Sequence, residues 1–316
     1  MKQLTRAFVA VFVVSFALLF WIKELNASEG YSGDKTISVY NWGDYIDEEL
    51  VAKFEEETGY KVIYSTFDSN EAMITKINQG GTNYDVVVPS EYAIQKMVED
   101  DLLQAIDHSL IPNLQYIDDR FLDLSFDPGN KYSIPYFWGT VGIVYNTKLL
   151  EDRTFNSWND LWAEDLENEI LLVDGAREVM GMGLNSLGYS LNSRDDSQLI
   201  EAKEKLDTLT PNIKAIVGDE IKMLLANEEA SIGVVWSGDA ADIMWQNENL
   251  DYVVPSEGSN LWFDNFVIPK DATNVEGAHA FINFMLDPEN AAQNADYVGY
   301  STPNIGAFEY MDEEVI

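Results

Sequence analysis

Thr36-Ile37-Ser38-Val39-Tyr40, then Asn41-Trp42-Gly43-Asp44-Tyr45, then Asp47 to Glu57 with Gly59 and Lys61 to Thr66 behind it, is the stretch on which the fold turns. Its first five residues are β-branched or aromatic at most positions and read as a strand. Asp47 to Glu57 carries helical periodicity, and Gly59 is a stop signal. Lys61 to Thr66 reads as the next strand. A strand, a helix and a second strand in so short a span imply parallel pairing and an α/β sheet.

The same alternation continues outward. Asn70 to Gln79 is a helical stretch halted by Gly80-Gly81, Asp85 to Pro89 is a short buried strand, and Glu91 to Glu99 is a helix. A second α/β region runs from about Val144 to Pro255, with strands at Ile170 to Val173 and Ser231 to Trp236 and helices near Glu178 to Leu187 and Gln198 to Leu209. Asn265 to Pro269 returns to a strand, and Val275 to Leu286 is an amphipathic helix halted before Asp287-Pro288. The chain has no internal repeat and no low-complexity linker. The smooth passage between regions suggests crossovers by extended strands, a hinge geometry.

The 316 residues suffice for two domains of ordinary size. Fifty-five acidic residues against 19 Lys and Arg give a formal net charge of -36, which argues against nucleic acid as a partner. Such a field concentrates cations at the surface, although a solvated acidic coat accounts for the bulk charge equally well. Lys2 and Arg6 precede the uncharged run AFVAVFVVSFALLFWI from Ala7 to Ile22, closed by Lys23 and followed by Asn26-Ala27-Ser28. The pattern is an export segment, either a signal peptide cleaved after Ala27 or a retained N-terminal membrane anchor. Its flanking charges place the remainder outside the cytoplasm. With no cysteine, disulfides, a thiol nucleophile and a lipid-modified cysteine are all excluded.

Three tryptophans are each followed closely by an aspartate at a predicted strand end: Trp42 and Asp44, Trp236 and Asp239, Trp262 and Asp264. An indole face attracts an ammonium by about 0.5–2 kcal/mol. A nearby carboxylate adds charge and a charge-assisted hydrogen bond, so the pairing suits a small organic amine. A fourth copy, Trp158 and Asp160 within Ser157-Trp158-Asn159-Asp160, reads instead as a capped helix start. Ligands in open parallel sheets bind at the carboxyl ends of strands. Asn41 to Tyr45, Ser90 to Tyr92, Asp174 to Glu178 and Trp236 to Asp239 follow predicted strands, and Asp264 falls at a predicted crossover. All five therefore face one expected cleft.

Catalysis has weaker support. Asp44 and Glu178 could form a glycosidase acid and nucleophile pair. His108 and His279 lack metal-site spacing and read as structural, and neither a nucleophile elbow nor a phosphate loop is present. No cofactor or metal is called for.

Five segments carry a resemblance: Tyr40-Asn41-Trp42-Gly43-Asp44-Tyr45, Val87-Val88-Pro89-Ser90-Glu91-Tyr92, Tyr132-Ser133-Ile134-Pro135-Tyr136, Gly175-Ala176-Arg177-Glu178-Val179 and Gly299-Tyr300-Ser301-Thr302-Pro303-Asn304. From about Ile37 to Ile316 the chain resembles the extracytoplasmic spermidine/putrescine-binding proteins of PotD type. The resemblance implies a type II periplasmic binding protein fold, in which two open-sheet α/β lobes joined by a hinge close on a polyamine. Such a receptor delivers its ligand to the membrane permease subunits of an ABC importer. It implies ligand contacts at Trp42, Asp44, Tyr45, Ser90, Tyr92, Glu178, Trp236, Trp262, Asp264 and Tyr300, with Asp44, Glu178 and Asp264 as ammonium partners.

The chain departs from the pattern at Gly175, which stands where a carboxylate is expected, and at Gly43-Asp44. Both bear on the choice between putrescine and spermidine. The expected layout is an export segment at residues 1–34, lobe one at 35–141 plus 263–310, and lobe two at 142–262. Tyr310 to Ile316 reads as the start of a helix, and further helices of lobe two are expected beyond it. The leading reading is a monomeric, non-enzymatic polyamine receptor in the periplasmic space or on the outer face of the cytoplasmic membrane. Its rivals are the same fold holding another amine or a sugar, and a secreted glycoside-active enzyme.

Overall fold

The computed structural model describes residues 35–151 and 153–311. The export segment and the helix expected at the end of the chain thus lie wholly or largely outside the described residues. Strand β1 (Thr36–Trp42), helix α1 (Glu48–Thr58) and strand β2 (Lys61–Phe67) form as the opening stretch predicts, and β1 and β2 pair in parallel. The Asp47 carboxylate accepts the Glu49 N–H at 2.9 Å, and Gly59 ends the helix with φ 74°, a left-handed conformation that costs glycine little.

Strand β3 is only Val86–Val87, shorter than predicted, and the Asp85 carboxylate beside it holds three backbone groups. It accepts backbone N–H groups of Ser38, Thr273 and Asn274, each at 2.8 Å, tying β1 to the segment that starts helix α8 (Val275–Met285). Helices α2 (Asn70–Gln79) and α3 (Glu91–Glu99) complete this side of the molecule.

The long strand β4 (Ser133–Asn146) joins the two halves of the sheet. Its first half pairs antiparallel with β9 (Leu261–Val267), and its second half pairs with β7 (Ile232–Trp236) and β8 (Leu250–Val253). The full order is β2-β1-β3-β9-β4-β7-β5-β6, with β5 at Ile170–Val173 and β6 at Ile213–Val217. Strand β5 pairs in parallel with β6 on one side and β7 on the other. Helices α4 (Ala176–Ser186), α5 (Asp196–Asp207), α6 (Glu220–Ala226) and α7 (Ser237–Gln246) accompany them, and α9 (Pro288–Val298) follows α8. One apolar core runs from Ile37 and Phe54 through Ile134 and Ile143 to Ile170 and Val234.

Two sequence expectations change. Strand β9 begins at Leu261, not Asn265, and is antiparallel, so Trp262 and Asp264 lie inside a strand and not at its end. The charged Asp264 masked the first half of the strand, because its side chain is buried by tertiary neighbours. Strands β4, β6 and β8 and helices α6, α7 and α9 were not among the predicted elements. The short Trp158–Trp162 helical turn forms with the expected capping box, away from the cleft described below.

Gly142 sits where β4 leaves β9 and takes up β7. A Cβ there would lie 2.5 Å from the Val253 carbonyl oxygen and 2.5 Å from the Tyr252 ring. Gly142→Ala should therefore lower unfolding stability by about 1–3 kcal/mol, read from the urea midpoint at unchanged slope.

Candidate functional site

The carboxyl ends of β1, β3, β5 and β7 converge with β9 on a cleft of about 650 Å³. Helices α3, α4 and α7 begin at these strand ends and carry Glu91, Glu178 and Asp239 in their first turns, where the helix dipole offsets negative charge. Eleven acidic residues and a single basic one, Lys222, line the cleft among the described residues, so the space favours a cation.

Asp264 is the centre of one end. Its carboxylate is 5% exposed and accepts the Ser90 hydroxyl at 2.7 Å on Oδ1 and the Tyr45 hydroxyl at 2.8 Å on Oδ2. Both donors are themselves fixed. Asn70 donates to the Ser90 Oγ at 3.0 Å and to the Tyr92 hydroxyl at 2.9 Å, while its own carbonyl accepts the Ser90 N–H. The Tyr45 carbonyl accepts the Tyr136 hydroxyl, which in turn accepts from Asn294 at 2.8 Å. Burial pushes the Asp264 carboxyl up to about 7; the Ser90 and Tyr45 hydroxyls pull it down, and the charges of Glu91 and Glu178 push it up again.

Glu91 and Glu178 are also raised by burial. The Arg177 guanidinium, 3.5 Å from Glu91, draws Glu91 back down, and the Phe263 N–H donates to Glu91 Oε2 at 3.2 Å. Asn260 donates to Glu178 Oε1 at 3.3 Å, and its carbonyl oxygen, like the Trp42 indole N–H, is buried without a protein partner. A buried acceptor and donor left over in an acidic cleft are groups that a polar ligand would satisfy.

The second end gathers Asp239, Asp219, Asp242 and Asp44 around Lys222. Burial lifts Asp239 up to about 6, against the pull of the Lys222 ammonium and the Tyr300 hydroxyl, which donates to Asp239 Oδ1 at 3.2 Å. An aromatic wall joins the ends. The Tyr300 ring meets Tyr45 at 5.4 Å and Trp262 at 5.2 Å between centroids, both edge-on, and the Trp262 indole N–H donates to the Thr140 carbonyl. Trp42 packs on Phe67 at 4.5 Å.

All ten residues expected at the site line this one cleft. Asp264, Ser90 and Tyr45 are joined by hydrogen bonds, and Trp262, Tyr300 and Tyr45 form the wall. Trp42, Tyr92, Trp236 and Glu178 stand around them. Asp44, with φ 47°, is the most exposed of the set and lies at the Lys222 end. Sequence reasoning did not select Glu91, Asn70, Asp219, Lys222 or Asn260 as contacts. Glu91 had a signal, as the first helical residue after Pro89-Ser90, whereas Lys222 and Asp219 lie on an element that was not anticipated. Gly175, read as a lost carboxylate, lies against the Glu178 carboxylate, and a side chain there would have to displace the Glu178 Oε2 end. His279 and His108 bond backbone groups of their own surroundings, away from the cleft.

Residues 49–315 match the family described as bacterial extracellular solute-binding protein. The chain is 40% identical over 294 residues to the spermidine/putrescine-binding periplasmic protein of Salmonella typhimurium, covering 92% of this chain and 84% of that one. It is 35% identical over 304 residues to the putrescine-binding periplasmic protein PotF of Escherichia coli, covering 89% and 81%. A solved structure described as a putative spermidine/putrescine ABC transporter from Listeria monocytogenes superposes with a TM-score of 0.87 at 62% identity, covering 89% of this chain and 87% of that one. The fold is therefore that of the periplasmic binding proteins. No helix among the described residues is long and apolar enough to cross a membrane.

Ser90→Ala removes one of the two hydroxyl donors to a carboxyl already held at about 7. The Asp264 titration should move further up, read by carbon-detected NMR of the labelled carboxyl, and an unmoved titration would contradict the geometry.

Proposed function

The chain belongs to the family of bacterial extracellular solute-binding proteins, and from that premise we propose that it captures spermidine or putrescine in the cleft and passes it to the permease of an ABC importer. The observation that carries this reading is Asp264, a carboxylate out of water with only two neutral donors and two like charges nearby. An ammonium at its free edge supplies the missing counter-charge and a charge-assisted hydrogen bond. Glu178, Glu91 and the Asn260 carbonyl are within the same lining and can take the remaining N–H donors. The methylenes then lie along Trp262, Trp236, Tyr300 and Tyr45, where their burial is favourable by about 0.8 kcal/mol per CH₂.

The proposed action is binding and release, not catalysis, by a monomer. Residues 35–141 with 263–310 form one closing lobe and residues 142–262 the other, with β4 and the entry to β9 as the hinge strands. Residues 7–22 act as export signal or anchor and place the receptor outside the cytoplasm.

Asp264→Asn keeps an acceptor for one of the two hydroxyls, sets an amide N–H against the oxygen of the other, and deletes the charge. It should weaken polyamine binding by about 100-fold or more in calorimetry and leave the folded spectrum intact. Binding that is indifferent to this change would favour a neutral cargo such as a sugar.

The pH dependence follows from burial. Near pH 6 the ligand-free protein holds a proton on a large share of Asp264, whose carboxyl is raised to about 7. Polyamine amines stay charged throughout, so binding should expel protons and weaken as the pH falls from about 8 to 5. A raised carboxyl also means that its contribution to ligand-free stability is present below the ordinary carboxylate range and is lost as the pH rises through about 7. Calorimetry in buffers of different ionisation enthalpy counts the protons, and zero release at pH 6 would contradict this account.

A further inference from the structure

Lys222, on α6, places a protein ammonium inside the acidic cleft. Its Nζ lies 3.6 Å from Asp44 Oδ2 and 3.7 Å from Asp242 Oδ2. Asp44 follows β1 and Asp242 sits on α7, so the ammonium bridges elements from the two halves of the sheet. Burial opposes its charge, yet Asp239, Asp44, Asp242 and Asp219 outweigh that effect and keep it cationic. At the opposite end no lysine or arginine among the described residues pairs with Asp264. The ends are coupled through Tyr45 on Asp264 and Tyr300 on Asp239, rings 5.4 Å apart.

We infer that Lys222 is a specificity-determining residue, an internal ammonium that occupies part of the charge capacity of the Asp44, Asp239 and Asp242 end and so penalises each further cationic group of a longer amine. This rests on the polyamine reading of the same cleft. A dication anchored at Asp264 places one remaining charge toward the lysine, whereas a trication places two, so repulsion grows with ligand charge. The carboxylates are numerous enough that the lysine reduces, and does not abolish, attraction at this end.

The test is calorimetric binding of putrescine and spermidine to the unaltered protein and to Lys222→Gln, Lys222→Met and Lys222→Arg, at pH 8 where Asp239 is ionised. The spermidine-to-putrescine affinity ratio should rise about tenfold in the two neutral variants, about 1.4 kcal/mol, and stay within about twofold of the unaltered value in the arginine variant. A ratio unchanged in both neutral variants, or a rise shared by the arginine variant, overturns the inference while leaving the polyamine reading standing. An equal loss for both ligands also overturns it, since it would make Lys222 a support for the neighbouring carboxylates. An unaltered protein that binds neither amine overturns both.

Discussion

A carboxylate removed from water must be compensated or protonated, and Asp264 imposes that demand on everything around it. Two hydroxyls meet it in part. To hold them, Asn70 must lock Ser90 at the start of α3, and Tyr136 and Asn294 must lock the backbone of Tyr45 after β1. Strand β9 carries the carboxylate between β3 and β4, with Ser90 bridging to Asp264 across the strand edge. The compensation stays incomplete because hydroxyls are neutral and Glu91 and Glu178 repel. This residual demand is what separates a cation receptor from a folded acidic domain.

The rest of the cleft distributes charge along a groove. Glu91, Glu178 and Asp239 each start a helix, so the partial positive charge of the helix ends supports ionisation without cancelling it. The aromatic wall of Tyr45, Tyr300 and Trp262 lies between the two acidic ends. A small sugar finds few neutral donors here, while an amine finds acceptors at both ends and a low-dielectric wall between.

How much of this could be read from sequence follows from where the signals were local. The first strand, helix and strand were legible because Asp47 and Gly59 cap the helix within the segment itself. The Trp158 and Asp160 pair was legible as a cap for the same reason, its hydrogen bonds closing within four residues. All ten expected contacts reach one cleft, but those carried by Trp262 and Asp264 came from the aromatic and acidic pattern and from the family resemblance, since the strand holding them was misplaced. Polar residues buried by tertiary neighbours, such as Asp264, look like loop residues in a sequence. Lys222 was invisible for a related reason: β6 alternates half-buried and exposed positions with a lysine at 214, and a short helix after it gives too little periodicity to be noticed.

The sheet also fixes an order of events. Val87 of β3 finds its antiparallel neighbour only at Val267, and β4 finds β9 only across the intervening second group of strands. Loop-closure entropy makes such distant pairing slow, and the outer edge of β3 stays without its partner until nearly the whole chain has emerged. A polypeptide that cannot close its sheet early remains extended and threadable for longer.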